Sequence, residues 1–178
     1  TIRSMESFSM GHAASSDWQG ALHTALGMAD IQPDAANIGF LYVTDHFADS
    51  LPEIRTELQV RTGIENWVGT IGIGICATGV EYFDEPALAL LAASIPSGSL
   101  KLLDTGADTP DEASAKLAGA FGTTEGRFGI VHADPHNADL SDLISAVVEA
   151  TGAFLVGGLT ASRGAHPQVA GVMTAGGV

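Results

Sequence analysis

Apolar side chains recur along this chain in two alternating rhythms. Trp18, Ala21, Leu22, Ala25, Leu26 and Ala29 follow the three-to-four spacing of one buried helical face, and Ser15, Ser16 and Asp17 stand before them as candidate caps. A helix is therefore predicted there, closed by Pro33. Ile38 to Val43 is a short continuous apolar run, the pattern of a strand covered on both faces. Asp45 and Asp49 open a second helix carrying Leu51, Ile54 and Leu58 on one side, with Gly63 as its stop. Trp67 to Ile75 predicts a strand interrupted by glycines, Val80 to Phe83 an extended segment, and Ala87 to Ile95 a further buried strand. Arg3 to Met10 is a weaker strand signal ended by Gly11.

The second half follows a similar plan. Leu100 to Leu103 predicts a short strand, and Asp111 caps a helix bearing Ala115, Leu117, Ala118 and Phe121. Phe128 to His132 predicts a buried strand, Ala138 to Ala150 a helix stopped by Gly152, Phe154 to Val156 a strand, and Gln168 to Thr174 the last strand. A shift of 89 positions superposes Asp45 on Asp134, Leu51 on Leu140, Ile54 on Leu143, Leu58 on Val147 and Thr62-Gly63 on Thr151-Gly152. This favours an internal duplication over chance reuse of generic strand–turn–helix signals. The expected fold is α/β: two pseudo-duplicated β-α-β-α-β-β halves, about 1–97 and 98–178, packed as one domain with a mixed sheet and helices.

Charge and composition narrow the function. Twenty-one acidic residues against seven basic ones leave a net charge of −14, and Lys101 and Lys116 are the only lysines. Nucleic-acid and anionic-membrane partners are disfavoured, since both require clustered cations. A 46% apolar content with 16% charged residues describes a folded chain whose acidity is a solubilising coat or, alternatively, a scaffold face for a basic partner. Cys76 is the single cysteine, so no intrachain disulfide exists, and no apolar run reaches membrane-spanning length. A cytoplasmic location is expected.

Candidate chemistry gathers on glycines and strand ends. Gly72-Ile-Gly-Ile-Cys-Ala-Thr-Gly79 lacks the Lys and Ser or Thr of a phosphate loop and has the wrong spacing for a dinucleotide fingerprint. It fits a structural bend or a small-ligand cradle. His132-Ala-Asp-Pro-His136 reads as an Asp-Pro turn leaving a strand, with a two-imidazole metal pair as the alternative, and Asp45-His46 follows the same turn logic. Cys76 reads as a buried small hydrophobe or as the nucleophile of a hydrolase or transferase, with His132 the other candidate for catalysis. No Gly-x-Ser-x-Gly elbow occurs. Gly157-Gly-Leu-Thr-Ala-Ser-Arg163 offers Thr160, Ser162 and Arg163 to an anionic ligand, or is a surface connection. Paired Gly-rich segments at strand ends, residues 69–79 and 157–164, form the candidate ligand site. The expected contacts are Asp45, Gly74, Cys76, Thr78, Gly79, Asp134, Gly157, Gly158 and Ser162. No cofactor and no resident metal are expected.

Three segments carry a family resemblance. Val68-Gly-Thr-Ile-Gly-Ile-Gly-Ile-Cys-Ala-Thr-Gly-Val80, with the acidic stretch and strand Pro86 to Pro96 after it, resembles the centre of the FIST N-terminal domain. Ile130-Val-His-Ala-Asp-Pro135 resembles that family's strand ending in Asp-Pro, and Val156-Gly-Gly-Leu-Thr-Ala-Ser-Arg163 its later Gly-Gly-Leu segment. The similarity runs from Gly11 to the end, although Gly74 and Ile75 precede Cys76 where the family places a small residue. The resemblance implies a sensory module of a signal-transduction protein that binds an amino acid or related metabolite. It also implies a C-terminal FIST domain or another signalling domain as partner, so that the 178 residues ending at Gly176-Gly177-Val178 would belong to a longer protein. Removal of an initiator Met or the start of a fragment accounts for Thr1, with processing by a nucleophilic Thr1 as the alternative.

Overall fold

Asp17 opens the first helix as the periodicity predicts: its carboxylate accepts the backbone N–H of Gly20 at 2.7 Å, satisfying one of the first-turn donors. The computed structural model describes residues 8–32, 35–96, 98–103, 109–121 and 128–175. Pro33, Thr1 and the Gly176 to Val178 end lie outside the described residues. The elements are β1 (Phe8–Ala14), α1 (Trp18–Ala29), β2 (Ile38–Thr44), a 3-10 segment (Asp45–Ser50), α2 (Leu51–Thr62), β3 (Trp67–Gly72), β4 (Gly74–Ala77), β5 (Val80–Phe83), β6 (Ala87–Ala93), α3 (Pro110–Phe121), β7 (Phe128–Ala133), α4 (Leu140–Thr151), β8 (Phe154–Leu159), β9 (Pro167–Ala170) and β10 (Val172–Ala175).

The chain is α/β with mixed sheets. Six strands form one sheet in the order β1-β6-β2-β3-β9-β10, in which only β2 and β3 run parallel. Two further pairs stand apart from it, the antiparallel hairpin β4–β5 and the parallel pair β7–β8. One face of the large sheet packs under α1 and α2. Its core contains Leu22 and Ala25 from α1, Ile54 and Leu58 from α2, and Leu41, Val43, Trp67, Ile71 and Leu88 from the strands. Gly11 permits α1 to lie directly on β1, because a Cβ there would overlap the carbonyl oxygen of Ala25.

Several boundaries differ from the sequence expectation. β1 runs through Gly11 to Ala14, since its ladder with β6 pairs all seven residues from Phe8 to Ala14. Leu100 to Leu103 forms no strand: the free edge of β3 is filled by β9, which leaves Leu102 beside the β9–β10 turn. The last strand is two, because Gly171, at φ 73°, folds β10 back on β9. α3 is capped by Thr109, whose hydroxyl accepts the N–H of Glu112 at 3.3 Å, rather than by Asp111, which sits in the first turn. The strand Phe128 to His132 forms as expected but is not buried: Phe128 is 61% and Phe154 69% exposed. Among the described residues β7 and β8 pair only with each other, and Phe128, Ile130, Phe154 and Val156 on one side of the pair are exposed.

One strand–helix–strand unit recurs in detail. The Thr62 hydroxyl donates to the Leu58 carbonyl at 2.6 Å and accepts from the Ile64 N–H at 3.2 Å; Thr151 repeats this with Val147 at 2.7 Å and Ala153 at 3.2 Å. Gly63 and Gly152 then close α2 and α4 in the left-handed conformation. Leu41 pairs with Gly69 in β2–β3 as Val131 pairs with Gly157 in β7–β8. Beyond this unit the elements differ in number and pairing, so the full β-α-β-α-β-β repeat is not reproduced among the described residues.

Candidate functional site

The second face of the large sheet carries a polar row. Register aligns His12 with Ala89, Ala89 with Tyr42, Tyr42 with Thr70, and Thr70 with Gln168, and cross-strand partners share a face. The β4–β5 hairpin lies over part of this row, packing Ile75, Ala77 and Tyr82 against Tyr42, Ala87 and Ala89. Tyr82 Oη lies 2.7 Å from His12 Nδ1. From the other side β7 brings His132, whose Nε2 lies 3.0 Å from Tyr42 Oη. Thr160, just past β8, hydrogen-bonds Thr70 through their hydroxyls at 2.6 Å and accepts from Gln168 Nε2 at 3.1 Å. Thr70, Thr160 and Gln168 are buried, so these mutual bonds offset a desolvation that would otherwise be costly.

The segment after β8 joins the carboxyl ends of four strands. The Thr160 N–H donates to the Ala133 carbonyl at 2.9 Å and the Ala161 N–H to the Ile71 carbonyl at 3.0 Å. Arg163 then reaches the turn after β2: its backbone N–H donates to Asp45 Oδ2 at 3.0 Å and its Nη1 to Asp45 Oδ1 at 3.1 Å. Its Nη2 donates to Asp84 at 2.7 Å, at the base of the hairpin. The Asp45 side chain is 6% exposed against 58% for Asp84, so the Asp45 arm of this clamp is the less screened one.

Burial tunes the titratable pair within the row. It holds the Tyr42 hydroxyl above its ordinary value and the His132 imidazole below its own. A neutral His132 can accept the Tyr42 hydroxyl proton at Nε2. The sign for stability follows: a depressed imidazole contributes fully above the unfolded value of about 6.5 and loses that contribution as pH falls from there through its lowered folded value. Thermal melts from pH 8 to pH 5 are expected to fall more steeply for the native chain than for His132→Gln; parallel curves would refute a buried neutral His132.

The sequence-predicted residues divide by position. Asp45 and Asp134 follow the last residues of β2 and β7, as expected, and Gly157, Gly158 and Ser162 lie on β8 and the bridging segment. Gly74 begins the hairpin opposite Phe83. Cys76, Thr78 and Gly79 lie farther out, where the Thr78 hydroxyl approaches Met10 Sδ at 3.1 Å. Cys76 is exposed, which corrects the expectation of a buried small hydrophobe: Ile75 and Ala77 turn toward the sheet, and alternation turns Cys76 away. His132 and His136 diverge, the first toward Tyr42 and the second toward Asp134, whose Oδ1 lies 3.1 Å from His136 Nδ1. Burial raises the Asp134 carboxyl, but the His136 hydrogen bonds and the charges of His166 and His136 outweigh it, leaving it below its ordinary value.

Sequence reasoning missed His12, Tyr42, Thr70, Gln168 and His166. A polar residue inside a largely apolar strand was the available signal for the first four. A separate cavity of about 710 Å³ opens at the other end of β3, lined by Arg55, Gln59, Glu65, Asn66 and Leu102.

The chain is thus a mixed α/β domain in which the carboxyl ends of two parallel strand pairs meet through the segment after β8. The family model for the FIST N domain matches residues 37–178, and the chain belongs to that family. FIST domains are sensory, signal-transduction domains. No curated protein and no solved structure shows a significant match to the chain. Among the described residues no helix is long and apolar enough to cross a membrane.

Proposed function

We propose that the domain senses a small polar metabolite of the amino-acid class and passes the bound state to a partner signalling domain in the cytoplasm. The observation that carries this reading is the Arg163 clamp on Asp45 and Asp84, with Asp45 at the end of the strand that carries the Tyr42–His132 pair. A planar guanidinium suits a ligand carboxylate, and the carboxylates it would release suit an ammonium group. The strand-end and bridge residues Asp45, Asp134, Gly157, Gly158 and Ser162 form the floor. The hairpin bearing Gly74, Cys76, Thr78 and Gly79 is the cover, and ligand contact with it biases the domain between two hairpin positions.

A melting-temperature screen against the free amino acids and related small carboxylates tests it. A ligand at a hundred times its dissociation constant stabilises by about 2.7 kcal/mol, an easily read shift. At least one compound is expected to raise the melting temperature of the native chain and to lose that effect in Arg163→Ala and Tyr42→Phe. A complete absence of shifts, or shifts unchanged in both variants, would overturn the proposal.

A further inference from the structure

We propose that Asp134, His136 and His166 form a binding site for a divalent transition-metal ion that accepts imidazole and carboxylate ligands, of the zinc, cobalt and nickel type. One ligand atom from each lies within 4.8 Å of the other two. Metal–ligand bonds of about 2.0–2.2 Å place tetrahedral ligands roughly 3.4 Å apart, so a modest ring rotation closes the set around one ion. His136, whose side chain is 73% exposed, has the room to make that rotation.

The two loops that carry the ligands are held by the fold. Asp134 leaves β7 and begins a tight turn: its Oδ1 accepts the His136 N–H at 2.9 Å, and its carbonyl accepts the Asn137 N–H at 3.1 Å. Among the described residues the hydrogen bonds to this carboxylate fall on Oδ1, which leaves Oδ2 for an ion. His166 arrives from thirty positions later, immediately before β9, whose Gln168 and Val169 are buried in the large sheet. Its ring meets the His136 ring at 4.5 Å between centroids and 67° between planes. The Asp134–His136 hydrogen bonds alone would not need His166, and an ion explains why a second imidazole is brought there.

The ligand set selects the class of metal. Two imidazoles and one carboxylate suit zinc, cobalt or nickel and are poor partners for magnesium or calcium, which take oxygen. Three protein ligands leave at least one coordination position for water, and the exposed side of His136 keeps that position open to solvent. The surplus of negative charge on the chain raises the local concentration of any cation.

Zinc titration by calorimetry and cobalt titration followed by visible absorption, both on the whole chain freed of metal, test the site. One equivalent of zinc is expected to bind, and cobalt is expected to develop the intense visible bands of a four- or five-coordinate ion. His136→Ala and His166→Ala are each expected to weaken zinc binding by at least about tenfold and to abolish the cobalt bands, whereas His23→Ala, on the exposed side of α1, leaves both unchanged. Circular dichroism confirms that each variant is folded, and the exposed His136→Ala carries the test if His166→Ala is not. Zinc affinity unchanged in His136→Ala, or a cobalt spectrum identical to the hydrated ion, would overturn the assignment. The outcome is independent of the amino-acid screen, which is read without added metal.

Discussion

Trp67→Ala is expected to lower the unfolding free energy by about 3–5 kcal/mol, the range for deleting a large aromatic side chain from a packed core. Trp67 is fully buried in the cluster shared by α1, α2 and the large sheet. Its indole lies across Gly39, its register partner on β2, where even a Cβ would collide with the ring. Alanine would leave a cavity that neither the glycine nor the sheet backbone can fill. The indole Nε1 has no hydrogen-bond partner among the described residues, and an orphaned buried donor costs about 1–3 kcal/mol. Trp67→Phe removes that donor while keeping most of the ring volume, so its loss should be less than half that of Trp67→Ala. Urea unfolding of the two variants gives both numbers, and equal losses would show that ring volume does not dominate at this position.

Gly69→Ala is the second large effect, at about 3 kcal/mol, the upper end for forced overpacking. A Cβ at Gly69 would overlap the carbonyl oxygen of Leu41 inside the only parallel pairing of the six-stranded sheet, where neither backbone can move without breaking the ladder. Gly157 repeats the close approach against the carbonyl oxygen of Val131. The β7–β8 pair is exposed on one face and can yield, so Gly157→Ala should cost roughly 1–2 kcal/mol. Gly27→Ala is the internal control: it lies in α1 with open space around it, and alanine should stabilise the chain by about 0.5–1 kcal/mol. Denaturation midpoints that fail to rank Gly69→Ala below Gly157→Ala, and both below Gly27→Ala, would contradict the packing described for the two parallel pairs.

Gly157 shows how far the candidate site was legible. Its place in a Gly-rich segment after a strand marked it as a candidate ligand contact, and the structure supplies a reason for the glycine that needs no ligand: the neighbouring strand carbonyl occupies the space of a side chain. Asp45 and Asp134 were legible because a polar residue after an apolar strand run falls at a strand end wherever that strand pairs. Cys76 was misread because alternation depends on where the hairpin begins, and the break between Gly72 and Gly74 shifts which residues turn inward. His166 could not be read at all, since nothing local links it to Asp134 and His136.

Hydrophobic periodicity and punctuation determined the local elements of this protein. Asp17 before α1, Gly63 after α2, Gly152 after α4 and the apolar runs of β2 and β6 each act through neighbouring residues, so their signals lie in the sequence itself. The tertiary structure decided which strands meet. It left β7–β8 outside the large sheet with an exposed apolar face, and it aligned His12, Tyr42, Thr70 and Gln168 in one row. Strand pairing runs through backbone hydrogen bonds common to every residue, so register and partner choice leave little trace in side-chain identity. The polar row, the Arg163 clamp and the approach of His166 to Asp134 all follow from those choices.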